Sequence, residues 1–181
     1  MKDNHPNIHA VAFTGHRKLE GKYPPSPKWE MVSQAVRELA LSFVTMYDIT
    51  HFCSGGALGF DQVAASTVIR LREQGFPVTL TFALPFPGFE VRWPEKSQAG
   101  LKSLCRQANK VVFVDNEPRY FPWKMQRRNE YMIDRAQSVI AFMYPAVKKG
   151  GTLNAVKYAK EHNRNILLID PTQEPIISAG R

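Results

Sequence analysis

Ser54-Gly55-Gly56-Ala57-Leu58-Gly59-Phe60-Asp61 is the stretch on which the reading of this chain turns. It follows Ile49-Thr50-His51-Phe52-Cys53, an apolar run with the length and β-branched content of a buried strand. It precedes Gln62 to Arg72, where Val63, Ala64, Thr67, Val68 and Leu71 recur at helical spacing. A glycine-rich turn between strand and helix can present bare backbone N–H groups to an anion. Gly55 and Gly56 lack the Cβ atoms that would hold a phosphate off, and the helix N-terminus adds partial positive charge. The same glycines are also what a tight turn needs without any ligand, and the motif alone does not separate the two.

Outward from that turn the pattern repeats. On the N-terminal side, His9 to Phe13 reads as a first strand ending at Thr14-Gly15-His16-Arg17, a glycine turn followed by a cation. A loop rich in Pro and Gly (Gly21 to Pro27) leads to Ser26, a candidate N-cap with Pro27 at the first helical position. Trp29, Val32, Val36, Leu39, Ala40 and Phe43 then trace one helical face to about Val44. On the C-terminal side, Gly75 and Pro77 stop the second helix and Val78 to Leu84 is a third strand, closed by Pro85-Phe86-Pro87-Gly88. A helix over Ser97 to Ala108, a strand over Lys110 to Val114 and a helix over Pro122 to Ala136 follow. Ser138 to Tyr144 is the fifth strand, Lys148-Lys149-Gly150-Gly151-Thr152 opens a fifth helix, and Asn165 to Ile169 is the last strand before a short polar tail.

Six apolar strands alternating with helices predict an α/β fold with three α/β/α layers and a mainly parallel sheet of about six strands. At 181 residues the chain is expected to be a single domain over 1–181. In such sheets the ligand crevice lies outside the carboxyl ends of the strands, near the point where strand order reverses. The marked turns after strands one, two, three and five all belong to that edge, so they converge in space although they are distant in sequence.

No apolar run reaches the roughly 20 residues of a membrane span, and the polar N-terminus lacks a signal-peptide core. Cys53 and Cys105 sit in apolar or helical patterns and read as free thiols, so a soluble cytoplasmic protein is expected. The net charge of +8, much of it in Lys124, Arg127, Arg128, Lys148 and Lys149, fits anionic partners of any class or a solvated surface. Exposed apolar residues on helices leave a homodimer open.

Thr14 and Ser54 offer hydroxyls at strand ends, Gly15, Gly55, Gly56, Gly150 and Gly151 offer backbone amides, and Arg17 offers a bidentate cation suited to phosphate or carboxylate. Thr152 is either the N-cap of its helix or a contact to a phosphate oxygen. Asp61 either binds a sugar hydroxyl or balances the helix dipole. Arg127, Glu130, Tyr131 and Asp134 share one helical face, a solvated ion-pair face in one reading. In the other, one arginine and Asn129 stand over the crevice. The P-loop and Gly-x-Gly-x-x-Gly signatures are missing, as are zinc-type His or Cys patterns and the Gly-x-Ser-x-Gly elbow. No metal and no resident cofactor is called for. The loop aromatics Phe86, Phe89, Trp93, Tyr120, Phe121 and Trp123 are read as packing against the sheet edge, with base stacking as the other use.

Thr14-Gly15-His16-Arg17, Ser54 to Asp61, Arg127 to Asp134 and Gly150-Gly151-Thr152 stand in the order seen in YpsA-like proteins. The chain thus resembles the SLOG superfamily, named from the SMF/DprA and LOG proteins, from about His9 to Ile169. The resemblance implies a Rossmann-like fold that binds a nucleotide or nucleotide-derived ligand, of nucleoside phosphate or ADP-ribose type. Thr14, Gly15, Arg17, Gly55, Gly56, Asp61, Arg128, Asn129, Gly151 and Thr152 are the positions it carries over. LOG proteins are similar to phosphoribohydrolases whose Pro-Gly-Gly-x-Gly-Thr-x-x-Glu motif ends in a catalytic Glu. Here Lys149 to Ala155 lacks the Pro and has Asn154 and Ala155 where the carboxylate belongs, which leaves only Asp61 or Glu130 as candidates. A sensing or regulatory binder is the first expectation. A LOG-type nucleoside-5′-monophosphate phosphoribohydrolase and a DprA-type single-stranded DNA binder are the alternatives.

Overall fold

A computed structural model describes residues 9–18, 29–144, 147–170, 172–173 and 177–179. Its elements, in chain order, are β1 (Ala10–Gly15), α1 (Trp29–Tyr47), β2 (His51–Ser54), α2 (Phe60–Glu73), β3 (Thr79–Leu84) and α3 (Glu95–Gln107). They continue with β4 (Lys110–Phe113), α4 (Pro122–Asp134), β5 (Ser138–Phe142), α5 (Gly151–Glu161), β6 (Asn165–Ile169) and β7 (Ile177–Ala179). The predicted cap at Ser26 and Pro27, and the prolines that close β5 and β6, lie outside the described residues.

The strands form one seven-stranded sheet in the order β4-β3-β2-β1-β5-β6-β7. The first six are parallel, as the alternation of strands and helices requires. β7 is antiparallel to β6, pairing Ile169 with Ile177. Its three residues lie where the sequence reads as polar tail, because so short an edge strand carries too little pattern to be seen. Strand order reverses between β1 and β5, whose register runs from Val11 opposite Ser138 to Gly15 opposite Phe142.

Central strands buried on both faces explain the continuous apolar runs that mark them in sequence. On one face, Val32, Val36 and Phe43 of α1 and Ala64 and Val68 of α2 pack on Val11, Phe13 and Phe52. On the other, Met132 and Ile133 of α4 and Ala155, Val156 and Ala159 of α5 cover Ala12, Val139 and Ala141. The small residues of this second cluster let α4 and α5 lie close to the sheet. α1 runs three residues past its last periodic position and ends at Asp48, which takes the left-handed conformation (φ 54°) in place of the usual glycine. α2 ends as expected, with Gly75 left-handed (φ 91°) and accepting no further helix.

Candidate functional site

Above the junction of β1 and β5 lies a cavity of about 260 Å³. Its lining draws on the ends of four elements. Thr14, Gly15, His16 and Arg17 come from β1 and the loop after it, Ala57 and Asp61 from the β2–α2 turn, Met125, Arg128 and Asn129 from α4, and Gly151 and Thr152 from the start of α5. Eight of the twelve predicted binding residues are thus brought together. Ser54, Gly55, Gly56 and Gly150 do not line the cavity, and each has a structural reason for its place.

The β2–α2 turn is closed on itself around Asp61. Ser54 Oγ donates to the Asp61 carbonyl at 2.8 Å, and the Gly56 N–H donates back to Ser54 Oγ at 3.3 Å. The Ala57 N–H donates to Asp61 Oδ2 at 3.3 Å, and Arg128 Nη1 reaches the same oxygen at 3.4 Å. Gly55 is a glycine because the Arg128 guanidinium fills the space of its side chain: a Cβ there would lie 1.5 Å from Nη1. Gly56 is left-handed (φ 68°), and a Cβ there would meet Leu84 at 2.8 Å. Neither glycine therefore opens the turn to an anion from the cavity side. Gly15 is equally constrained, since a Cβ would lie 2.5 Å from the Phe60 ring. That ring is fully buried, edge-on to Phe13 and stacked on Phe142. The first two turns are also tied directly, by the Phe60 N–H donating to the His16 carbonyl at 3.1 Å.

Gly150 serves a different need. It has open space around it but a φ of 130°, which only glycine adopts without strain, and it is the N-cap of α5. Thr152 is therefore not the cap. It lies inside the first turn, 9% exposed, and lines the cavity, while no side chain caps the helix. The positive end of α5 thus opens on the cavity beside Asn129, whose Nδ2 donates to the Gly151 carbonyl at 3.4 Å.

The charges divide sharply by burial. Arg17 is exposed and makes no ion pair with any described residue. Arg128 and Asp61 are buried and paired. Burial pushes the Asp61 carboxyl above the ordinary carboxylate range, against the pull of Arg128, the Ala57 amide and Arg17. Burial likewise pulls the Arg128 guanidinium down, while Asp61 holds it charged. Arg128 Nε is buried without a hydrogen-bond partner among the described residues. Burial also lowers the His16 imidazole, which stacks on Tyr144. Asp61 is the one carboxylate among the described residues lining the cavity. Glu130 is half-buried on α4, accepts a hydrogen bond from Gln126 at 2.9 Å and does not line the cavity.

α4 is held over the site by a residue that sequence reasoning placed on the surface. Lys124 is fully buried, donates to the Glu117 carbonyl at 2.7 Å and lies 2.9 Å from Asp115 Oδ1. The rings of Phe86, Phe121 and Trp123 surround its ammonium at 5.3–5.6 Å. Burial pulls this ammonium down, but the hydrogen bonds and charges of Asp115 and Glu117 outweigh it and leave it above the ordinary lysine value. Lys124 and Arg128 stand one turn apart, so the face of α4 that meets the protein begins polar and becomes apolar only at Met132 and Ile133. Both cations are paired with acids of the same fold, so they are not offered to a partner, while the net charge of +8 is unchanged. Arg127 and Asp134 face solvent, as their spacing predicts.

Among the described residues no group of three His, Cys, Asp or Glu could hold a metal ion, and no helix is long and apolar enough to cross a membrane. Cys53 and Cys105 are free thiols, and burial pushes them up to about 12 and about 11.

A parallel sheet with helices on both faces and a crevice at the reversal of strand order defines a Rossmann-like domain. The chain belongs to the YpsA family of SLOG proteins, whose family model, described as the YspA SLOG family, matches residues 11–174. It is 31% identical over 128 residues to YoqJ, an SPbeta prophage-derived protein of Bacillus subtilis, covering 65% of this chain and 74% of that protein. It is 26% identical over 155 residues to a UPF0398 protein of Shouchella clausii, covering 84% and 82%. Among solved structures it resembles DNA processing protein A (DprA) of Streptococcus pneumoniae, with a TM-score of 0.58 at 17% identity over 87% of this chain. The match spans only 49% of that longer protein. DprA of Helicobacter pylori, described as binding single-stranded DNA, matches with a TM-score of 0.58 at 21% identity over 91% of this chain and 70% of that one. At these identities the likeness establishes the shared fold.

Proposed function

We propose that the chain binds a nucleotide or nucleotide-derived ligand, of nucleoside phosphate or ADP-ribose type, in this cavity, and acts as a sensing or regulatory domain. One observation carries the reading: the N-terminus of α5, the Thr152 position and Arg17, which has no ion-pair partner among the described residues, all line one cavity at the reversal of strand order. That is a chemical match for a phosphate group. Binding without cleavage follows from the carboxylates. Hydrolysis of an N-glycosidic bond needs a carboxylate or base free to act on water or on the developing cation. Asp61 is engaged by Arg128 and the Ala57 amide, and Glu130 lies outside the cavity.

The test is mass spectrometry of small molecules released from the purified protein, compared with an Arg17→Ala/Thr152→Ala variant. The reading expects a nucleotide that is present in the wild type, lost in the variant and intact after incubation. Release of free base from a nucleoside monophosphate would replace sensing by phosphoribohydrolase activity.

A second reading, single-stranded DNA binding, rests on the likeness to the two DprA structures and on the net charge of +8. It expects an oligonucleotide mobility shift that weakens steeply with salt. A shift that persists unchanged at high salt, or none at all, would remove it.

A further inference from the structure

A second chamber, of about 400 Å³, adjoins the first, and Arg17 and Met125 line both. The two differ in chemistry. The first is made of hydroxyls, amides and buried charge. The second is walled by Phe86, Phe89, Trp93 and Tyr120 with Pro118 and Gly88, and its charged side chains are Arg17 and Arg92. At about 260 Å³ the polar chamber alone falls below the roughly 300–1,000 Å³ usual for a small-molecule site. It is large enough for the charged part of a ligand and leaves the remainder to be housed next door.

The aromatic walls are braced from behind. Phe86 is buried at 2% exposure, its ring meets Phe89 and Tyr120 edge-on at 6.3 Å, and Phe89 meets Trp93 edge-on at 5.2 Å. The edge-on contacts fix the ring orientations, and Tyr120 (56% exposed) and the half-buried Trp93 keep surface open to the chamber. The buried Lys124 packs on Phe86 from the α4 side and so couples this wall to the helix that carries Arg128. Phe86, Phe89, Trp93 and Tyr120 thus pack on one another, and together they wall a chamber beside a phosphate-type cavity.

We infer that this second chamber receives the base of a purine nucleotide whose phosphate and ribose occupy the first. The inference rests on the nucleotide reading above and adds which part of the ligand the β3–α3 and β4–α4 loops recognise. A stacked base needs a π face and an edge partner. Tyr120 and Trp93 supply the first, and the Arg92 guanidinium supplies donors that suit the acceptor edge of a purine. The larger two-ring base fits the larger chamber. Arg17 lines both chambers, so one cation borders the phosphate site and the base site alike.

Calorimetric titrations of the intact protein with AMP, GMP, UMP and ribose 5-phosphate test this, alongside Tyr120→Ala, Tyr120→Phe and Trp93→Leu variants. Tyr120 is largely exposed, so its truncation leaves the core intact, and thermal melting of each variant verifies that. A purine nucleotide is expected to bind about 5- to 150-fold more tightly than ribose 5-phosphate, the range that loss of one stacking partner produces. Tyr120→Ala and Trp93→Leu should erode that advantage without weakening ribose 5-phosphate, and Tyr120→Phe should keep it. Equal affinity for AMP, GMP and ribose 5-phosphate, unmoved by the variants, would overturn the base slot while leaving the phosphate cavity standing. UMP binding as tightly as the purine nucleotides would overturn the purine assignment. If none of the four binds, this inference fails, and the nucleotide reading stands or falls on an ADP-ribose-type ligand in the released-molecule mass spectrum.

Discussion

Replacing Gly55 with alanine tests how the site is assembled. The added Cβ would lie 1.5 Å from Arg128 Nη1 and 2.3 Å from Cζ, so the guanidinium has to leave. Arg128 is a flexible side chain and can swing away, but Asp61 is only 4% exposed and would keep a single described partner, the Ala57 N–H. Removing one member of a buried ion pair costs about 3–5 kcal/mol. For a chain of this size that lowers the melting temperature by about 6–20 °C. Three comparisons identify the mechanism. Gly100→Ala, in an exposed turn of α3 with nothing within 4 Å, should raise stability by about 0.5–1 kcal/mol. In an Arg128→Ala background, Gly55→Ala should cost little, because the clash and the pair are already gone. An unpaired Asp61 escapes its cost by taking up a proton, so the deficit of Gly55→Ala should be smaller at pH 5 than at pH 8. Differential scanning calorimetry of the wild type and the four variants gives each number. A Gly55→Ala variant that melts within a degree of wild type would refute the claim that Gly55 exists to admit Arg128.

Gly15→Ala drives a methyl into the immobile Phe60 ring and should cost about 1–3 kcal/mol, read as the urea midpoint. The pH dependence should show the two half-buried imidazoles, His16 and His51. Burial lowers His16, and burial with Lys110 lowers His51, whose two ring nitrogens are bonded to Thr79 and Thr81. The unfolded chain then binds more protons than the native one below the ordinary histidine value of about 6.5. Their contribution is complete above that value and is lost as pH falls through it, so the melting temperature should drop between pH 7.5 and 5.5. A His16→Phe/His51→Gln variant should flatten that slope. Cys53 and Cys105, at about 12 and about 11, should react with a thiol reagent at pH 8 at least about a hundredfold more slowly than a free thiol, and at the normal rate once unfolded.

The elements that build this fold are legible because their signals are local. Strand runs buried on two faces, helical periodicity and glycine stops each declare themselves within about ten residues. The convergence of the β1, β2 and β5 turns is legible for the same reason, since parallel topology alone brings them to one edge. What the turn glycines are for was not legible. Gly55 looks like an anion cradle in sequence, yet its vacant side-chain space belongs to Arg128, which lies on α4 far along the chain. Lys124 looks like surface charge, because nothing local shows that Asp115, Glu117 and three rings close around it. Thr152 looks like a cap, because a glycine two residues earlier can replace it only through a backbone angle that sequence does not display. For Gly55 and Lys124 the missing information is a contact between distant elements, and for Thr152 it is a backbone angle at Gly150.

The central claim is that the cavity between β1, β5 and the start of α5 holds a phosphate group. Calorimetric titration of a purine nucleotide into the wild type and into Thr152→Glu tests it most directly. The substituted carboxylate would stand in the first turn of α5, on the cavity wall, where it complements the helix dipole but repels an anion. The account predicts saturable binding to the wild type and none to a variant that melts normally. Equal binding to both would place the ligand elsewhere and contradict it.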